Sequence, residues 1–281
     1  MIMHNVIEEI GKGSIIQHGK HNDRIYLMKL SRLDTGMILE KLSKLAYENN
    51  YSKIFCKIPK NTAPLFFAEG YILEAYIPQF YNKQDDVFFV SKFLNPDRLL
   101  NIDKTQLSRL NQLLINTPQE KKNFKKIAPG YQVRRLGKSD VEQITDIYRE
   151  VFASYPFPIH DPGYIIKTMD ENFQYFGAEK EGKLAALASS EIDIEKKNAE
   201  MTDFATHLAH HGNNLSCKLL EALEKEMKKQ GISTLFTIAR LNSIPMNKTF
   251  LRFNYHYSGT LINNTNIAGK IESMNVYYKH I

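Results

Sequence analysis

Residues 198–231 read NAEMTDFATHLAHHGNNLSCKLLEALEKEMKKQG, and the rest of the chain is interpreted outward from this stretch. Met201, Phe204 and Thr206 stand among polar residues, which indicates a β-strand. The apolar residues that follow recur every three to four positions, as expected for one face of a helix. They are Leu215, Leu219, Leu220, Leu223 and Met227. The stretch therefore predicts a strand, a loop containing Gly212, and an amphipathic helix.

This loop is a candidate binding site for a phosphate or pyrophosphate. Backbone N–H groups in such a loop and in the first turn of a helix lack intrahelical partners and can bind an anion. The residues concerned are His211, Gly212, Asn213, Asn214 and Leu215. An ordinary strand–loop–helix connection is the alternative, and this stretch by itself favours it.

The composition predicts a soluble, globular chain of two domains. Its 281 residues are 43% hydrophobic and 24% charged, and no apolar run approaches the roughly 20 residues of a membrane helix. Because the N-terminal segment is acidic where a signal peptide is apolar, a cytoplasmic protein is expected. Cys56 and Cys217 lie far apart and offer no metal-binding spacing. A net charge of +6 suits an anionic cofactor, and the scattered basic residues argue against a nucleic-acid partner.

Pro129 and Gly130 mark the predicted domain boundary, after a lysine-rich linker at residues 119–126. The first domain spans residues 1–128 and the second spans residues 129–281. In the first domain, strands are predicted at residues 14–17, 24–30, 53–58 and 71–77. In the second, the last helix precedes two terminal strands.

The two domains share a sequence pattern. The run from Tyr51 and the run from Ile232 both predict a strand, a turn with Asn and Pro, a short aromatic helix and a final strand. Gly70 and Asn254 occupy the same place in this pattern, and both tolerate left-handed backbone. We infer that the first domain copies half of the second, although any two such units look alike. The first lacks the glycine loop, having SRLDTG at 31–36, so only the second is expected to bind a phosphate.

From Tyr131 onwards the predicted order β, α, α, β, β, β, loop, α, β, α, β resembles the GNAT acetyltransferase superfamily. The loop of that superfamily runs Gln/Arg-x-x-Gly-x-Gly/Ala, and residues 209–214, AHHGNN, keep its first glycine. The resemblance implies an α/β (α+β) fold with a GNAT-type mixed, mostly antiparallel sheet flanked by helices. A smaller, degenerate half-GNAT-like α/β domain would precede it. It also implies acetyl-CoA as cosubstrate, no metal, and cofactor contacts from the loop residues above and from Ala205, Thr206, Asn242 and Phe250.

Five stretches resemble the β-lysine N6-acetyltransferases within this superfamily. They are YPFPIHDP, NAEMTDFAT, FTIAR, GYILEAYIPQFYN and the long run from Met246 to Lys279. This resemblance implies a small-molecule amine acceptor, β-lysine, whose terminal amine is acetylated to give a compatible solute. It implies lysine 2,3-aminomutase as the functional partner and places Tyr155 and Phe157 at the substrate.

Glu200 and Asp203 are the candidate catalytic residues. An ammonium group with a pKa near 10.4 must lose a proton before it attacks a thioester, and a carboxylate or a water chain can accept that proton. Glu200 aligns with the base of several superfamily members, and strand alternation predicts that Asp203 points to the opposite face. Solvated strand carboxylates are the alternative interpretation for both residues.

The position where many members carry a tyrosine acid is Phe250 here. Tyr255, Tyr257 and Tyr278, or water, are therefore the candidates for protonating the thiolate. The C-terminal polar run offers acceptors for an amino-acid substrate, and a plain Asn-rich turn is its alternative. The residues of this run assigned to substrate binding are Asn263, Asn264, Glu272 and Asn275.

The leading hypothesis is thus an acetyl-CoA-dependent amine acetyltransferase that uses a carboxylate base. A non-catalytic CoA-binding or protein-interaction module, or an acetyltransferase for another small amine, would fit the departures from the loop motif and the missing tyrosine. Nucleic-acid binding by the basic surface is a third hypothesis, and it predicts strong salt dependence. The sequence leaves the oligomeric state open.

Overall fold

The computed structural model describes residues 5–117 and 128–281, so the predicted linker at 119–126 lies outside the described residues. The chain forms two β-sheets with helices. The first sheet and the helices near it are β1 (Val6–Ile10), β2 (Ser14–Gly19), β3 (Arg24–Lys29), α1 (Ile38–Asn49), β4 (Lys53–Pro59), α2 (Ala63–Ala68), β5 (Ile72–Tyr81), β6 (Asp85–Phe93), α3 (Pro96–Leu100) and α4 (Lys104–Asn116). Of these strands, β1 and β6 are absent from the sequence prediction.

The second sheet and its helices follow. They are β7 (Tyr131–Arg135), α5 (Val141–Val151), α6 (Pro162–Glu171), β8 (Phe173–Lys180), β9 (Lys183–Asp193), β10 (Asn198–Thr206), α7 (Leu215–Lys229), β11 (Thr234–Arg240), α8 (Ile244–Arg252), β12 (His256–Ile267) and β13 (Lys270–His280). Neighbouring strands are antiparallel except for the pairs β3–β4 and β10–β11. The predicted mixed, mostly antiparallel sheet flanked by helices is confirmed.

The two sheets have the same strand order. The first runs β1-β2-β3-β4-β6-β5, and the second runs β12-β13-β11-β10-β9-β8-β7. Read in the same direction, β8 to β13 repeat β1 to β6, with β7 added at the edge. Gly70 and Asn254 both have positive φ, +82° and +60°, at the place where the sequence pattern aligns them. The shared pattern therefore corresponds to a shared topology.

The sheets pack against each other through one face, and helices cover their other faces. The α1 and α2 side of the first sheet buries residues such as Leu42, Ile54 and Phe66. The α7 and α8 side of the second buries Leu219 and Phe250. Between the sheets lies a third core, made of aromatic and aliphatic residues from both, including Phe55, Phe80, Phe89, Phe236, Leu261 and Val276.

Equivalent strands of the two sheets, β5 and β12, contact each other. A Cβ atom at Gly259 would lie 2.0 Å from the main-chain oxygen of Glu74, so only glycine permits this approach. The backbone N–H of Tyr76 donates a 2.8 Å hydrogen bond to Oγ of Ser258. Helix α4 adds a further link, because Leu113 and Leu114 pack against the core of the second sheet. No helix of the described residues is long and apolar enough to cross a membrane.

Candidate active site

Strands β10 and β11 separate halfway along their length. They pair in parallel at Asn198, Ala199 and Glu200 only, although β10 continues to Thr206 and β11 to Arg240. Beyond Glu200 the main-chain groups on the two facing edges have no ladder partner in the opposite strand. The equivalent pair β3–β4 stays in register over Arg24 to Leu27. The second sheet therefore has an open slot between its parallel strands beyond Glu200.

A β-bulge in β10 redirects Asp203. The register of β10 against β9 shifts between Thr202 and Ala205, and Asp203 has a φ of +54°. An extra residue in a strand breaks the alternation of its side chains. Asp203 consequently faces the same side as Glu200, and the predicted orientation to the opposite face is wrong. Met201 and Phe204 pack on the α7 side.

Three carboxyl groups converge where the slot opens. Glu200 on β10 is the cross-strand partner of Glu191 on β9, and Asp203 lies one bulge further along. Burial raises the pKa of Glu200 to about 8, and the charges of Glu191 and Asp203 add to this, while Lys57 opposes it. Burial likewise raises the pKa of Glu191 and of Asp203. Like charges in a partly dehydrated site disfavour ionisation, so Glu200 is mostly protonated at pH 7 and becomes available as a base as the pH approaches 8.

Asp203 and Glu200 differ in their partners. Oδ1 of Asp203 accepts a 2.6 Å hydrogen bond from the hydroxyl of Tyr155, and Oδ2 accepts one of 2.7 Å from Oγ of Ser189. Among the described residues, the Glu200 carboxylate has no hydrogen bond or ion pair. Asp203 is therefore fixed in position, whereas Glu200 is available to an incoming group.

Glu200 and Asp203 face a cavity of about 1590 Å³ between the two sheets. Several residues assigned to the substrate from the sequence, Tyr155, Phe157 and Asn264, line it as well. Such a volume exceeds the range of about 300–1,000 Å³ usual for one small ligand. The cavity therefore has room for an acceptor beside the arm of a cofactor.

The first sheet supplies a wall of the cavity that the sequence interpretation does not include. Its lining residues include Arg24, Tyr26 and Met28 of β3 and Phe55, Lys57 and Pro59 of β4. The signal was present, because these residues alternate along their strands with buried apolar ones and include two cations among them. The pattern alone does not show that this face of β3 and β4 packs towards the second sheet, so it does not identify the wall.

Three residues of the C-terminal polar run have other partners. Asn263 donates to the main-chain oxygens of Arg98 and Asn101, at 2.7 and 3.0 Å. Glu272 forms a two-point ion pair with Arg240, at 2.6 and 2.9 Å. The amide of Asn275 is fully buried, where it donates to Asn247 and accepts from Thr260. None of the three is among the residues lining the cavity, and Asn264 is the member of the set that reaches it.

The loop before α7 fits an anion. Gly212 has a φ of +81° and Asn214, the N-cap of α7, a φ of +58°. The Asn214 side chain does not cap the helix, so the N–H groups of the first turn keep their capacity to donate. The side chains of Asn213 and His211 contact the main chain of the loop itself. Asn213 donates a 2.9 Å hydrogen bond to the main-chain oxygen of His210, and Nε2 of His211 lies 3.0 Å from the main-chain oxygen of Thr206. The open N–H groups, with Leu215 beginning the helix, suit a pyrophosphate.

The remaining predicted cofactor residues lie along the slot or behind it. Thr206 ends β10, and Ala205 is buried against the α5 and α6 side. Asn242 is exposed in the turn after β11. Phe250 is buried behind the sheet, with its ring centre 5.6 Å from that of Phe204. It therefore contributes packing and no proton.

The tyrosines considered as proton donors lie away from the cavity lining. Tyr255 is buried beside Phe250, and burial raises its pKa well above the ordinary value. The hydroxyl of Tyr257 lies 2.6 Å from Oγ1 of Thr260. Tyr278 packs at the edge of the core between the sheets. Within the described ranges, no group of three or more His, Cys, Asp or Glu side chains is arranged to hold a metal.

Comparison with known proteins agrees with this geometry. A profile of the Acetyltransferase (GNAT) family matches residues 141–255. The chain is 40% identical to the β-lysine N(6)-acetyltransferase of Methanococcus maripaludis, over 95% of this chain and 96% of that protein. It is 30% identical to the N-acetyltransferase YodP of Bacillus subtilis, over 98% of both. A crystal structure of an N-acetyltransferase from Staphylococcus aureus superimposes on 53% of this chain and 98% of its own, with a TM-score of 0.47 and 19% identity.

The relatives span almost the whole chain, and the family profile covers the bulged strand, the loop and α7. The slot, the uncapped helix and the cavity carboxylates all lie within the residues that the profile and the relatives match. The chain belongs to the GNAT acetyltransferase family and is an acetyl-CoA-dependent N-acetyltransferase.

Proposed function

We propose that the enzyme acetylates the terminal N6 amine of β-lysine and so makes the compatible solute N6-acetyl-β-lysine. The observation that carries the proposal is the cluster of Glu200, Glu191 and Asp203 facing the cavity where β10 and β11 separate. A cationic amine entering the cavity is attracted to this cluster and placed at the slot. The β-lysine N(6)-acetyltransferase named among the relatives supports this acceptor.

Acetyl-CoA, when bound, supplies the acetyl group as a thioester. The loop at 211–215 and the first turn of α7 hold its pyrophosphate through backbone N–H groups, and the edges of β10 and β11 line the slot for its arm. Asp203, fixed by Tyr155 and Ser189, orients the acceptor amine. Glu200 takes the proton from the ammonium group, directly or through one water.

The raised pKa of Glu200 makes this proton transfer feasible. A carboxylate of pKa near 4.3 would take a proton from an amine of pKa near 10.4 at a cost of about 8 kcal/mol. With the Glu200 pKa at about 8, the cost falls to about 3 kcal/mol. The bare carboxylate, without a partner among the described residues, is the group in the cluster able to receive the proton. A residue that returns a proton to the thiolate is not assigned, and water reaching the open cavity can serve.

The proposed acceptor also implies a place for the enzyme in the cell. A lysine 2,3-aminomutase would be its functional partner, because moving the amino group of lysine supplies β-lysine. The two enzymes would share the cytoplasm, where a neutralised amino acid can accumulate as a compatible solute. Both inferences follow from the resemblance to the β-lysine N6-acetyltransferases.

The test mixes the protein with acetyl-CoA and each of a panel of amines, and follows release of free thiol. The panel comprises β-lysine, lysine, polyamines and aminoglycosides. We expect the highest kcat/KM for β-lysine, with the acetyl group located on the terminal nitrogen by NMR of the product. A polyamine or aminoglycoside that is acetylated faster overturns the proposed acceptor. Binding of CoA without thiol release from any amine would favour the non-catalytic module.

A further inference from the structure

Arg24 is a buried cation on the first-domain wall of the cavity. It begins β3 and lies on the same face as Tyr26 and Met28, all three lining the cavity. Its guanidinium carbon lies 5.4 Å from the ring centre of Tyr26 and 5.5 Å from that of Phe55, and these two rings stack on each other. Arg24 is 4% exposed, so its charge has little contact with solvent.

Two other buried cations near Arg24 have carboxylate partners, and Arg24 has none. Lys53 pairs with Glu74 at 2.9 Å, and Arg98 lies 3.4 Å from a carboxylate oxygen of Asp23. Among the described residues, Arg24 makes no ion pair. Burial lowers its pKa to about 9, and the charge of Arg98 adds to the effect. A buried charge without a counterion is costly, and an anion from outside would relieve that cost.

The hydrogen bonds of Arg24 are also incomplete. Nη1 donates to the main-chain oxygen of Asn264 at 2.5 Å and to Oγ1 of Thr265 at 3.2 Å. Nε is buried and has no acceptor, and Oδ1 of Asn264, whose main-chain oxygen binds Arg24, is buried with no donor. A buried polar atom without a partner is uncommon in a native protein and calls for an explanation. The pair offers a donor for a carboxylate and an acceptor for an ammonium group at one place in the cavity.

We propose that Arg24 binds the carboxylate of the acceptor, so that the first domain selects an amino acid over a plain diamine. The proposal rests on the proposed function for the identity of the acceptor. Arg24 and Glu200 line the same cavity from opposite domains, and a diamino acid has its carboxylate at one end and its terminal amine at the other. Asn264 receives the inner amine of the acceptor. The second domain positions the reacting amine, and the first domain binds the carboxylate at the opposite end of the acceptor.

Tyr26 lies within electrostatic reach of both ends of this arrangement. Burial raises its pKa well above the ordinary value, the charges of Glu200 and Glu191 raise it further, and Arg24 opposes them. The phenol therefore stays neutral. It separates the carboxyl groups of Glu200 and Glu191 at one end of the cavity from Arg24 at the other. A substrate with its ammonium group at the first end and its carboxylate at the second is therefore favoured.

The experiment compares β-lysine with its carboxamide, which has the same shape and lacks the negative charge. We expect the wild-type enzyme to prefer β-lysine by roughly 10- to 100-fold in kcat/KM, the range for a charged hydrogen bond. Arg24→Gln should lose this preference, because its kcat/KM should fall for β-lysine and change little for the carboxamide. Calorimetric binding of β-lysine to the CoA-loaded enzyme should weaken by a similar factor. Lys44→Gln is the control, because Lys44 is an exposed cation on α1 beside the same sheet, lies outside the cavity lining and should leave the preference unchanged.

Arg24→Lys addresses the risk that Arg24→Gln does not fold, since it keeps a charge and should retain part of the preference. Equal kcat/KM for the acid and the carboxamide in the wild type overturns the proposal. Equal loss on both acceptors in folded Arg24→Gln also overturns it, and leaves Arg24 as a structural link to Asn264. If lysine replaces β-lysine as the best acceptor and the wild type still prefers it to lysinamide, the proposed acceptor fails and the Arg24 assignment stands.

Discussion

The hydroxyl of Tyr155 donates a 2.6 Å hydrogen bond to Oδ1 of Asp203. Tyr155 belongs to the proline-rich loop before α6, and Asp203 to the bulge of β10, so this bond joins two segments that shape the cavity. With Ser189 on the other oxygen, both oxygens of the carboxylate have a donor. These hydrogen bonds therefore explain how the buried side chain of Asp203, whose backbone has a positive φ, keeps one orientation.

Tyr155→Phe should destabilise the enzyme because it leaves Oδ1 of the buried Asp203 carboxylate with only a long, 3.4 Å hydrogen bond from Oγ1 of Thr202. The expected loss in the free energy of unfolding is about 1–3 kcal/mol, the cost of an unsatisfied buried group. Urea unfolding at neutral pH measures it. Tyr164→Phe is the control, since Tyr164 lines the same cavity and shows no hydrogen bond among the described residues. Equal losses in the two variants would contradict the role given to the Tyr155 hydroxyl.

Glu200→Gln should lower kcat by roughly 10²- to 10⁴-fold at pH 7, with the affinity for acetyl-CoA little changed. The pH profile distinguishes a Glu200 that accepts the proton from one that only attracts the ammonium group by its charge. The wild-type rate should rise with pH through about 8, where Glu200 loses its proton, and then level off. The variant depends on free amine and should keep climbing towards pH 10. If Glu200→Gln keeps near-normal turnover and Asp203→Asn does not, the base is Asp203.

The sequence predicted what depends on local periodicity. Alternation at Met201 and the leucine stripe from Leu215 are properties of one segment, so β10 and α7 could be recognised from them. The direction of Asp203 depends on a register shift against β9, which no residue of β10 reveals. Arg24 and Asn264 meet from positions 240 residues apart, so their contact required the packing of both sheets. The amide of Asn275 looked available for a substrate because its buried partner Asn247 lies on another element.

Gly212→Asp should weaken binding of acetyl-CoA by at least 10-fold, because a carboxylate would stand beside the pyrophosphate at the start of α7. Titration calorimetry measures the affinity. Gly182→Asp is a matched control. Gly182 also has positive φ, +75° against +81° for Gly212, and an added Cβ meets no atom within 4 Å at either position. Backbone strain is thus similar, and an equal loss of affinity in both variants would remove the loop from the cofactor site.

One molecule of acetyl-CoA should bind per chain, since the first domain offers no equivalent site. Strands β3 and β4 pair in parallel over Arg24 to Leu27, one residue further than β10 and β11. In the segment that corresponds to the glycine loop, the Asp34 carboxylate accepts hydrogen bonds from the backbone N–H groups of Lys12 and Ser14. A negative charge already occupies that place. Equilibrium dialysis with labelled CoA should give a ratio near one, and a ratio of two would show that the first domain also binds.

The raised pKa of Glu200 also predicts how stability depends on pH. A carboxyl group whose pKa is higher in the folded than in the unfolded state binds more protons when folded, so stability falls as pH rises between the two values. For Glu200 this window runs from about 4.5 to about 8. Below this window Glu200 is protonated in both states and does not lower the free energy of unfolding. Above it Glu200 is ionised in both states, and the free energy of unfolding is lowered by the full cost of the buried charge.

Glu200→Gln removes this penalty and should therefore stabilise the enzyme at alkaline pH. The difference in unfolding free energy between variant and wild type should be small at pH 5, grow by at most about 1.4 kcal/mol per pH unit, and become constant above pH 8. Its upper limit is about 5 kcal/mol, which corresponds to several degrees in Tm. Thermal unfolding from pH 5 to pH 9 tests this, with Glu195→Gln at the exposed cavity rim as the control. A difference that shrinks as pH rises would mean that the Glu200 carboxylate is stabilised by folding, and the assignment of Glu200 as the base would lose its physical ground.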